Sequence, residues 1–191
     1  ANISYALPMQ RHMDEFGSTP EQFARIAAIA RQNAQLNPNA IFYGKPATTQ
    51  DILASPLIAS PLHLYEIVMP VAGGAAVVVT NKRRARGLRH PPVHLLGAGE
   101  KVTHRAISQA PSLTSGPLKA AMEHAFRQSG LRAADMSLLS LYDCYTIMVA
   151  LTLEDAGLCA PGQFGPWMDE HCFDHLGDHP LNTHGGQLAC G

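Results

Sequence analysis

The sequence carries almost no net charge of either sign. Lys and Arg number 14 against 15 Asp and Glu, which gives a formal net charge of −1 over 191 residues. Because proteins that bind nucleic acid usually present a basic surface, this balance argues against nucleic acid as a partner. No apolar run approaches the roughly 18 residues of a membrane span. The first residues, Ala-Asn-Ile-Ser-Tyr, also lack the basic and apolar parts of a secretion signal.

Cysteine is sparse, and the four cysteines are far apart. Cys144, Cys159, Cys172 and Cys190 form no Cys-x-x-Cys pair and no dense framework. They are typical of free thiols in a reducing compartment, so we expect a cytoplasmic protein. A hydrophobic content of 46% with 15% charged residues predicts a well-packed globular chain. The first residue is not Met and the last follows a glycine-rich turn, so we expect a segment of a longer protein.

The first 65 residues predict one helix and a long connection. Residues 1–17 show only scattered apolar positions and are expected to be irregular. Residues 18–20 provide capping hydroxyls and a first-turn proline, and apolar residues follow at helical spacing to about Gln35. Residues 41–65 are rich in Pro, Ser and Thr, with one helical turn at 51–54. A connection this long usually carries function or covers a site.

The middle of the chain alternates predicted strands and helices. Residues 73–80 and 93–99 are apolar, glycine-containing stretches that predict buried strands. The basic cluster at residues 82–89 is interpreted as a solvated linker, with an anion-binding patch as the alternative. Pro117 opens a helix that Gly130 ends. Strands that alternate with helices indicate an α/β fold with a parallel or mixed sheet.

A polar turn interrupts the apolar sequence near residue 140. Residues 138–141 predict a short strand, and residues 145–156 predict a helix that is apolar on every side and therefore lies in the interior. Tyr142 and Cys144 lie at their junction, where an open α/β sheet binds its ligands and a helix start offers free N–H groups. Cys144 is a candidate nucleophile, but no His lies near it in sequence, and a structural thiol is the preferred interpretation.

Two further polar stretches follow this helix. The turn at residues 182–186 offers consecutive N–H groups able to hold an oxyanion, although paired glycines also occur in ordinary tight turns. His171, His175 and His179 are spaced by four residues, as metal ligands on a helix face would be. Because a glycine and a proline interrupt any helix here, we predict a polar surface loop and no metal site.

Four segments occur in an order and spacing that point to one family. They are Gly73-Gly74-Ala75-Ala76, Tyr142-Asp143-Cys144-Tyr145, Leu153-Glu154-Asp155-Ala156-Gly157-Leu158-Cys159, and Asn182-Thr183-His184-Gly185-Gly186-Gln187-Leu188. Together they resemble the thiolase superfamily, in particular its sterol-carrier/lipid-transfer thiolase-like branch. The resemblance covers essentially the whole chain, which would correspond to roughly the second half of such a protein.

The resemblance implies a thiolase-like layered fold, an α-β-α-β-α arrangement of mixed sheets and buried helices, present here in part. Residues 1–65 would belong to the loop domain that covers coenzyme A. Residues 66–91 would form the last strand of the first domain and a basic linker, and residues 92–191 most of the second domain. It also implies a dimer that uses CoA thioesters as substrates, with no covalently bound cofactor. The CoA contacts that we expect are Ser115, Gly116, Pro117 and Met13.

One position departs from the family pattern. Sterol-carrier thiolases carry a catalytic histidine at the position of Tyr142. A tyrosine there resembles the thiolase-like aldolases that cleave β-hydroxyacyl-CoA side chains in lipid and steroid metabolism, usually with an OB-fold partner protein. We therefore predict Tyr142 as an acid/base whose pKa is lowered by the helix dipole. Gly185 and Gly186 are predicted to bind the thioester oxygen, and His184 to be a neighbouring polar contact.

Retro-aldol cleavage is the reaction that this departure favours. A retro-aldol step needs a base for a hydroxyl proton and a hydrogen-bond donor for the enolate, but no acyl-enzyme cysteine. A thiolytic acetyl-CoA acyltransferase and a non-catalytic acyl-CoA-binding subunit are the alternative functions. The alternative interpretation of Tyr142 is a tyrosine of the core whose hydroxyl has a hydrogen-bond partner.

Overall fold

Eight α-helices and one β-hairpin form the regular structure of the described chain. The computed structural model describes residues 2–191. In chain order the elements are α1 (Asn2–Phe16), α2 (Pro20–Ala34), α3 (Thr49–Ala54), β1 (Leu57–Ala59), β2 (Leu62–His63), α4 (Lys82–Ala85), α5 (Pro117–Ser129), α6 (Thr146–Asp155), α7 (Phe164–Glu170) and α8 (Gly186–Ala189). Short 3₁₀ helices lie at Leu64–Glu66, Ile107–Gln109 and Ala133–Asp135.

Helix α2 forms where its sequence predicts it. Pro20 occupies the first turn, and the Gln22 side chain accepts a hydrogen bond from the Thr19 N–H at 2.9 Å. The helix contacts α3, α6 and α8. Its short side chains allow this close packing. Its buried apolar residues are Phe23, Ala24, Ile26, Ala27, Ala30 and Ala34.

Helix α6 lies in the interior, which confirms the prediction from its all-round apolar sequence. It packs against α1, α2, α5 and α7. Truncation of Ile147 or Leu153 to Ala would cost about 2–5 kcal/mol of the free energy of unfolding. The fully buried apolar residues of α6 are Ile147, Val149, Ala150 and Leu153.

The prediction of irregular structure at residues 1–17 is wrong, because α1 spans most of it. Ala6, Met9 and His12 form a buried face at helical spacing. Gly17, at φ +74°, ends the helix, and its N–H donates to the Met13 carbonyl at 2.8 Å. The helix was hidden in the sequence because Pro8 lies inside it and because a histidine occupies one of the core positions.

The two stretches predicted as buried strands are not strands in the structure. Residues 73–80 and 93–99 have no regular secondary structure. Val77 and Val93 are 85% and 99% exposed. A strand needs a neighbour that pairs its backbone groups, and no residue within 2–191 provides one for these stretches. The described strands β1 and β2 pair with each other in an antiparallel hairpin.

Helix α5 confirms both of its predicted ends, Pro117 and Gly130. Gly97 and Gly99 lie directly against its backbone, where an added Cβ would overlap with the carbonyl oxygens of Ala125 and Ala121. These glycines therefore allow their segment to rest on α5, whereas the sequence predicted that they end a strand.

The basic cluster at residues 82–89 is exposed apart from Ala85 in α4, as a solvated linker would be. A division of the chain into domains at this linker stays a prediction. None of the helices within residues 2–191 combines the length and the apolarity that a membrane-crossing helix requires.

Candidate active site

The structure brings the two polar turns together, as the sequence predicts. Leu139 and Leu181 form a parallel bridge, in which the Leu139 N–H donates to Pro180 and the Asn182 N–H donates to Leu139, both at 2.8 Å. The Asn182 side chain extends the pairing, since it accepts from the Leu141 N–H at 2.8 Å and donates to the Leu141 carbonyl at 3.0 Å. The turn that contains the paired glycines is therefore fixed beside the end of residues 138–141.

Asp143 links these turns and was not singled out from the sequence. Its side chain is buried and accepts hydrogen bonds from the N–H groups of Gln187 at 2.8 Å and Leu188 at 3.3 Å. Burial raises the pKa of Asp143, and these hydrogen bonds oppose the rise. The available signal was its proximity to Tyr142, because a carboxylate is a common partner for the free N–H groups at a helix start.

Both paired glycines have a backbone conformation that favours glycine, and Gly186 also lies too close to Asp143 for a larger side chain. Gly185 and Gly186 have φ of +112° and +61°. An added Cβ on Gly186 would overlap with Oδ2 of Asp143. The Gly185 N–H donates to the Asn182 carbonyl at 2.8 Å, whereas no residue within 2–191 accepts from the Gly186 N–H. The N–H groups of Thr183 and His184 likewise have no acceptor among the described residues, so the predicted oxyanion-binding turn has three unpaired donors, the Gly186 N–H among them.

Tyr142 directly precedes Asp143 and is exposed, with 59% of its surface accessible. This exposure rules out the alternative of a core tyrosine. The pKa of Tyr142 is raised, first by its hydrogen bond with the Cys144 thiol and then by the charge that this thiol can carry. The expectation that the helix dipole lowers this pKa is therefore wrong. Because the phenol stays protonated at neutral pH, Tyr142 is a hydrogen-bond donor there.

Cys144 is a core thiol, as the preferred interpretation of the sequence held. It is 3% exposed, and burial raises its pKa, so that little thiolate is available for nucleophilic attack. The neighbouring Tyr145 ring stacks on Tyr5 of α1, with ring centroids 3.9 Å apart, and its hydroxyl donates to Asn2 at 2.7 Å. The start of α1 therefore covers the inner side of the Tyr142 turn.

His184 is exposed on the glycine turn. Its backbone carbonyl accepts a hydrogen bond from the Asn37 side chain at 3.0 Å, which attaches the turn to the segment after α2. The imidazole lies at the surface, two residues before Gly186. This position suits a polar contact of the kind that the sequence predicted.

The expected CoA contacts lie away from Tyr142. The Ser115 hydroxyl and the Gly116 N–H donate to the two carboxylate oxygens of Asp155 at 2.7 and 3.0 Å. Pro117 begins α5 at this point. Asp155 is the last residue of α6, whereas Tyr142 lies shortly before the first residue of this helix. The length of α6 therefore separates the Ser115 and Gly116 contacts from Tyr142 by about 15 Å.

Met13 lies toward the same end of α6. It is half-buried and packs against the core, and its neighbour His12 bonds to Glu154 at 3.1 Å. Ser115, Gly116 and Pro117 thus lie together at Asp155. Met13 is next in sequence to His12, which bonds to the neighbouring Glu154. The role of these residues in binding CoA stays a prediction.

A buried polar pair, His12 and Glu154, was missed in the sequence. His12 is fully buried, and its second ring nitrogen bonds to the Ser18 hydroxyl at 2.9 Å. Glu154 also accepts from the Phe164 N–H at 3.1 Å. Phe16, Phe23 and Phe164 surround the imidazole edge-on. Because every ring nitrogen and carboxylate oxygen has a partner, the pair joins α1, α6 and α7 without an unsatisfied polar group.

An apolar cavity of about 520 Å³ opens beside the Tyr142 turn. Tyr145 and Leu188 form one side, and residues 64–70 form much of the other. Arg31 lies at the same cavity, where its guanidinium stacks on the Phe42 ring at 3.5 Å. A cavity of this kind, lined by Tyr145 and Leu188, which follow Tyr142 and Gly186 closely in sequence, can hold the apolar part of a substrate.

The fold and this pair of turns define a thiolase-like α/β protein. Residues 99–191 match the family described as "Thiolase C-terminal domain-like". The solved structure "Ltp2-ChsH2(DUF35) aldolase" superposes with a TM-score of 0.92 at 34% identity, over 97% of this chain and 50% of that one. Residues 99–191 are therefore thiolase-like, and the chain is similar over nearly its whole length to thiolase-like proteins of the kind that its motifs predicted.

Two curated relatives match over nearly the whole chain. The "Steroid side-chain-cleaving aldolase" of Thermomonospora curvata is 37% identical over 189 residues, which is 96% of this chain and 48% of that protein. The "17-hydroxy-3-oxo-4-pregnene-20-carboxyl-CoA lyase" of Mycobacterium tuberculosis is 34% identical, over 96% of this chain and 49% of that protein. The chain thus spans about half the length of these relatives.

Proposed function

We propose that the protein cleaves a carbon–carbon bond of a β-hydroxyacyl-CoA thioester by a retro-aldol reaction. The observation that carries this proposal is that the exposed Tyr142 is the neighbour of Asp143, whose buried carboxylate holds the glycine turn with its unpaired Gly186 N–H. Similarity to an aldolase and to a CoA lyase supports the same chemistry. Cys144, the candidate nucleophile within the turn, is buried.

The residues of the two turns have separate roles in the reaction. The β-hydroxyl gives its proton to a solvent water, the O–H electron pair forms a carbonyl, and the bond between the α and β carbons breaks. Its electron pair passes into the thioester, whose enolate oxygen accepts a hydrogen bond from the Gly186 N–H. Tyr142 donates a proton to the α carbon of the enolate, in keeping with its raised pKa, and the resulting phenolate takes a proton back from solvent. His184 makes a polar contact with the substrate at the rim of the turn.

The remaining contacts follow the length of CoA. The acyl group occupies the apolar cavity beside Tyr145 and Leu188, next to the reacting atoms. The CoA arm runs along α6 toward Ser115, Gly116 and Pro117, with Met13 near the same end. The pantetheine arm must then span the length of α6, about 15 Å.

The assembly that we propose contains a second kind of subunit. The matched solved structure is described as an "Ltp2-ChsH2(DUF35) aldolase". We propose that this protein likewise works with a second subunit, an OB-fold acyl-CoA-associated protein, around a homodimer of its own kind in the cytoplasm.

Replacement of Tyr142 by Phe in the full-length protein tests the catalytic assignment. Loss of the proton donor should lower kcat by about 10²–10⁴-fold, while the circular dichroism spectrum and the unfolding midpoint stay the same because the side chain is exposed. Tyr43→Phe is the matched control, since it removes a hydroxyl from another exposed tyrosine that no described residue bonds. Near wild-type turnover of Tyr142→Phe would refute the proposal.

The same assay separates the alternative functions. A retro-aldol enzyme releases a carbonyl product and a shorter acyl-CoA from the substrate alone. A thiolytic acyltransferase requires free CoA as a second substrate, and an acyl-CoA-binding subunit shows saturable binding without turnover. We expect product to form at a rate that does not depend on added free CoA.

A further inference from the structure

The loop between α7 and Leu181 is closed on itself. The Cys172 N–H donates to Oδ1 of Asp178 at 2.8 Å, and the His179 N–H donates to the Cys172 carbonyl at 3.1 Å. The Leu181 N–H then donates to Phe173 at 3.1 Å. These bonds bring the two ends of the loop side by side, so that residues at its start and at its end become neighbours.

Three side chains meet where the loop closes. Nδ1 of His171 lies 2.6 Å from Oδ2 of Asp178, and the His171 and His179 rings have centroids 4.4 Å apart. One nitrogen or oxygen from each of the three residues falls within 4.8 Å of the other two. His175, which the sequence pattern grouped with the other histidines, is exposed and lies outside this cluster.

The surroundings hold this cluster in place. Trp167 of α7 packs against both imidazoles, with ring centroids 4.7 Å from His171 and 5.0 Å from His179. Nδ1 of His179 is inaccessible to solvent and has no hydrogen-bond partner within residues 2–191. A buried nitrogen of this kind is unfavourable unless something binds it, and it is rare in folded proteins.

We propose that His171, Asp178 and His179 form a binding site for one divalent transition-metal ion of the zinc class. Two imidazoles and one carboxylate are a donor set that Zn²⁺ favours, with water as the fourth ligand. Ligands about 2.0–2.1 Å from a tetrahedral ion lie about 3.4 Å from each other. The loop therefore has to contract by about 1 Å or slightly more around the ion.

The position of the site suggests a structural role. The loop runs directly into Leu181 and Asn182, which pair with Leu139 beside the glycine turn. The Asn33 side chain of α2 donates to the Phe173 and Leu181 carbonyls at 3.2 and 2.8 Å. An ion that fastens both ends of the loop would stabilise the segment that positions Asn182, and with it the candidate active site.

The test is a titration of the untagged, chelator-treated full-length protein with Zn²⁺ and Co²⁺. We expect one tight equivalent, and for Co²⁺ the intense visible absorption of a tetrahedral complex. His179→Ala should weaken this binding by about 100-fold or more. His175→Ala, in the same loop and outside the cluster, should leave it unchanged.

Two outcomes would overturn the proposal. One is the absence of a tetrahedral Co²⁺ spectrum in the unmodified protein, a measurement that does not depend on any variant. The other is equal affinity in the wild type, His179→Ala and Asp178→Asn, which would place the bound ion elsewhere. Asp178→Asn keeps the size of the side chain, so it serves if His179→Ala fails to fold.

Discussion

Gly186→Ala should be among the most destabilising single changes at the glycine turn. At φ +61° an alanine costs about 1–2 kcal/mol relative to glycine. The new Cβ would also overlap with Oδ2 of Asp143, which then has to move away from the N–H groups of Gln187 and Leu188. Each hydrogen bond to a buried carboxylate contributes about 1.5–3 kcal/mol. The expected loss is therefore about 4–8 kcal/mol of the free energy of unfolding.

Gly130→Ala provides the matched control. Gly130 has φ +74°, and an added Cβ would meet no atom within 4 Å. It therefore carries the backbone cost without the overlap and should lose only about 1 kcal/mol. Urea unfolding of the full-length protein, followed by circular dichroism, measures both changes as shifts of the midpoint at constant slope.

A double variant separates the overlap from the backbone cost. Asp143→Ala alone removes the hydrogen bonds and also the atom that the new Cβ would meet. Adding Gly186→Ala to it should then cost only the backbone term of about 1–2 kcal/mol, which corresponds to a coupling energy of about 3–6 kcal/mol. If Gly186→Ala lowers the free energy of unfolding no more than Gly130→Ala does, or if the effects of Gly186→Ala and Asp143→Ala are additive, the contact between Asp143 and the turn contributes little to stability.

Three other changes have defined outcomes. Glu154→Ala should destabilise the protein by about 3–5 kcal/mol in urea, because it leaves Nε2 of buried His12 and the N–H of residue 164 without a partner; a loss below about 1 kcal/mol would contradict this. Asn33→Leu should cost about 1–3 kcal/mol in the same assay, since the Leu181 carbonyl loses its donor and the Phe173 carbonyl keeps only the Leu181 N–H. Cys144→Ala should move the alkaline limb of the kcat profile to lower pH, because the thiol is the main cause of the raised pKa of Tyr142 and activity needs the protonated phenol; an unmoved limb would contradict the role of Tyr142 as a donor.

The elements that sequence predicted correctly have local signals. Helices α2, α5 and α6 each combine a marked start with an apolar pattern, and α5 has a left-handed glycine at its end. The strands predicted at residues 73–80 and 93–99 failed because a strand depends on a partner that can lie anywhere in the chain. An apolar, β-branched stretch shows a capacity to pair, but it does not identify the partner.

The sequence positions of the candidate site could be predicted, but most of the contacts between its residues could not. Tyr142 and the glycine turn could be found because each is an unusual local sequence between regular elements. Asp143 and the pair of His12 with Glu154 could not, because their partners are 44 or more residues away. The cluster of His171 with Asp178 was hidden for a different reason: these residues are only seven apart, but closure of the loop brings them together instead of the helical spacing that the sequence suggested.

The difference between Tyr142 and Asp143 follows from the alternation of side chains along an extended segment. Leu139 and Asp143 are buried, whereas Leu138 and Tyr142 are exposed. A shift of one residue would turn the phenol inward and expose the carboxylate that holds the glycine turn. The bonds of Asn182 to the backbone of residues 139 and 141 prevent that shift. The register that exposes the Tyr142 side chain is therefore set by the same turn that contains Gly186. The segment of Tyr142 and the glycine turn, the two parts of the candidate site, thus position each other.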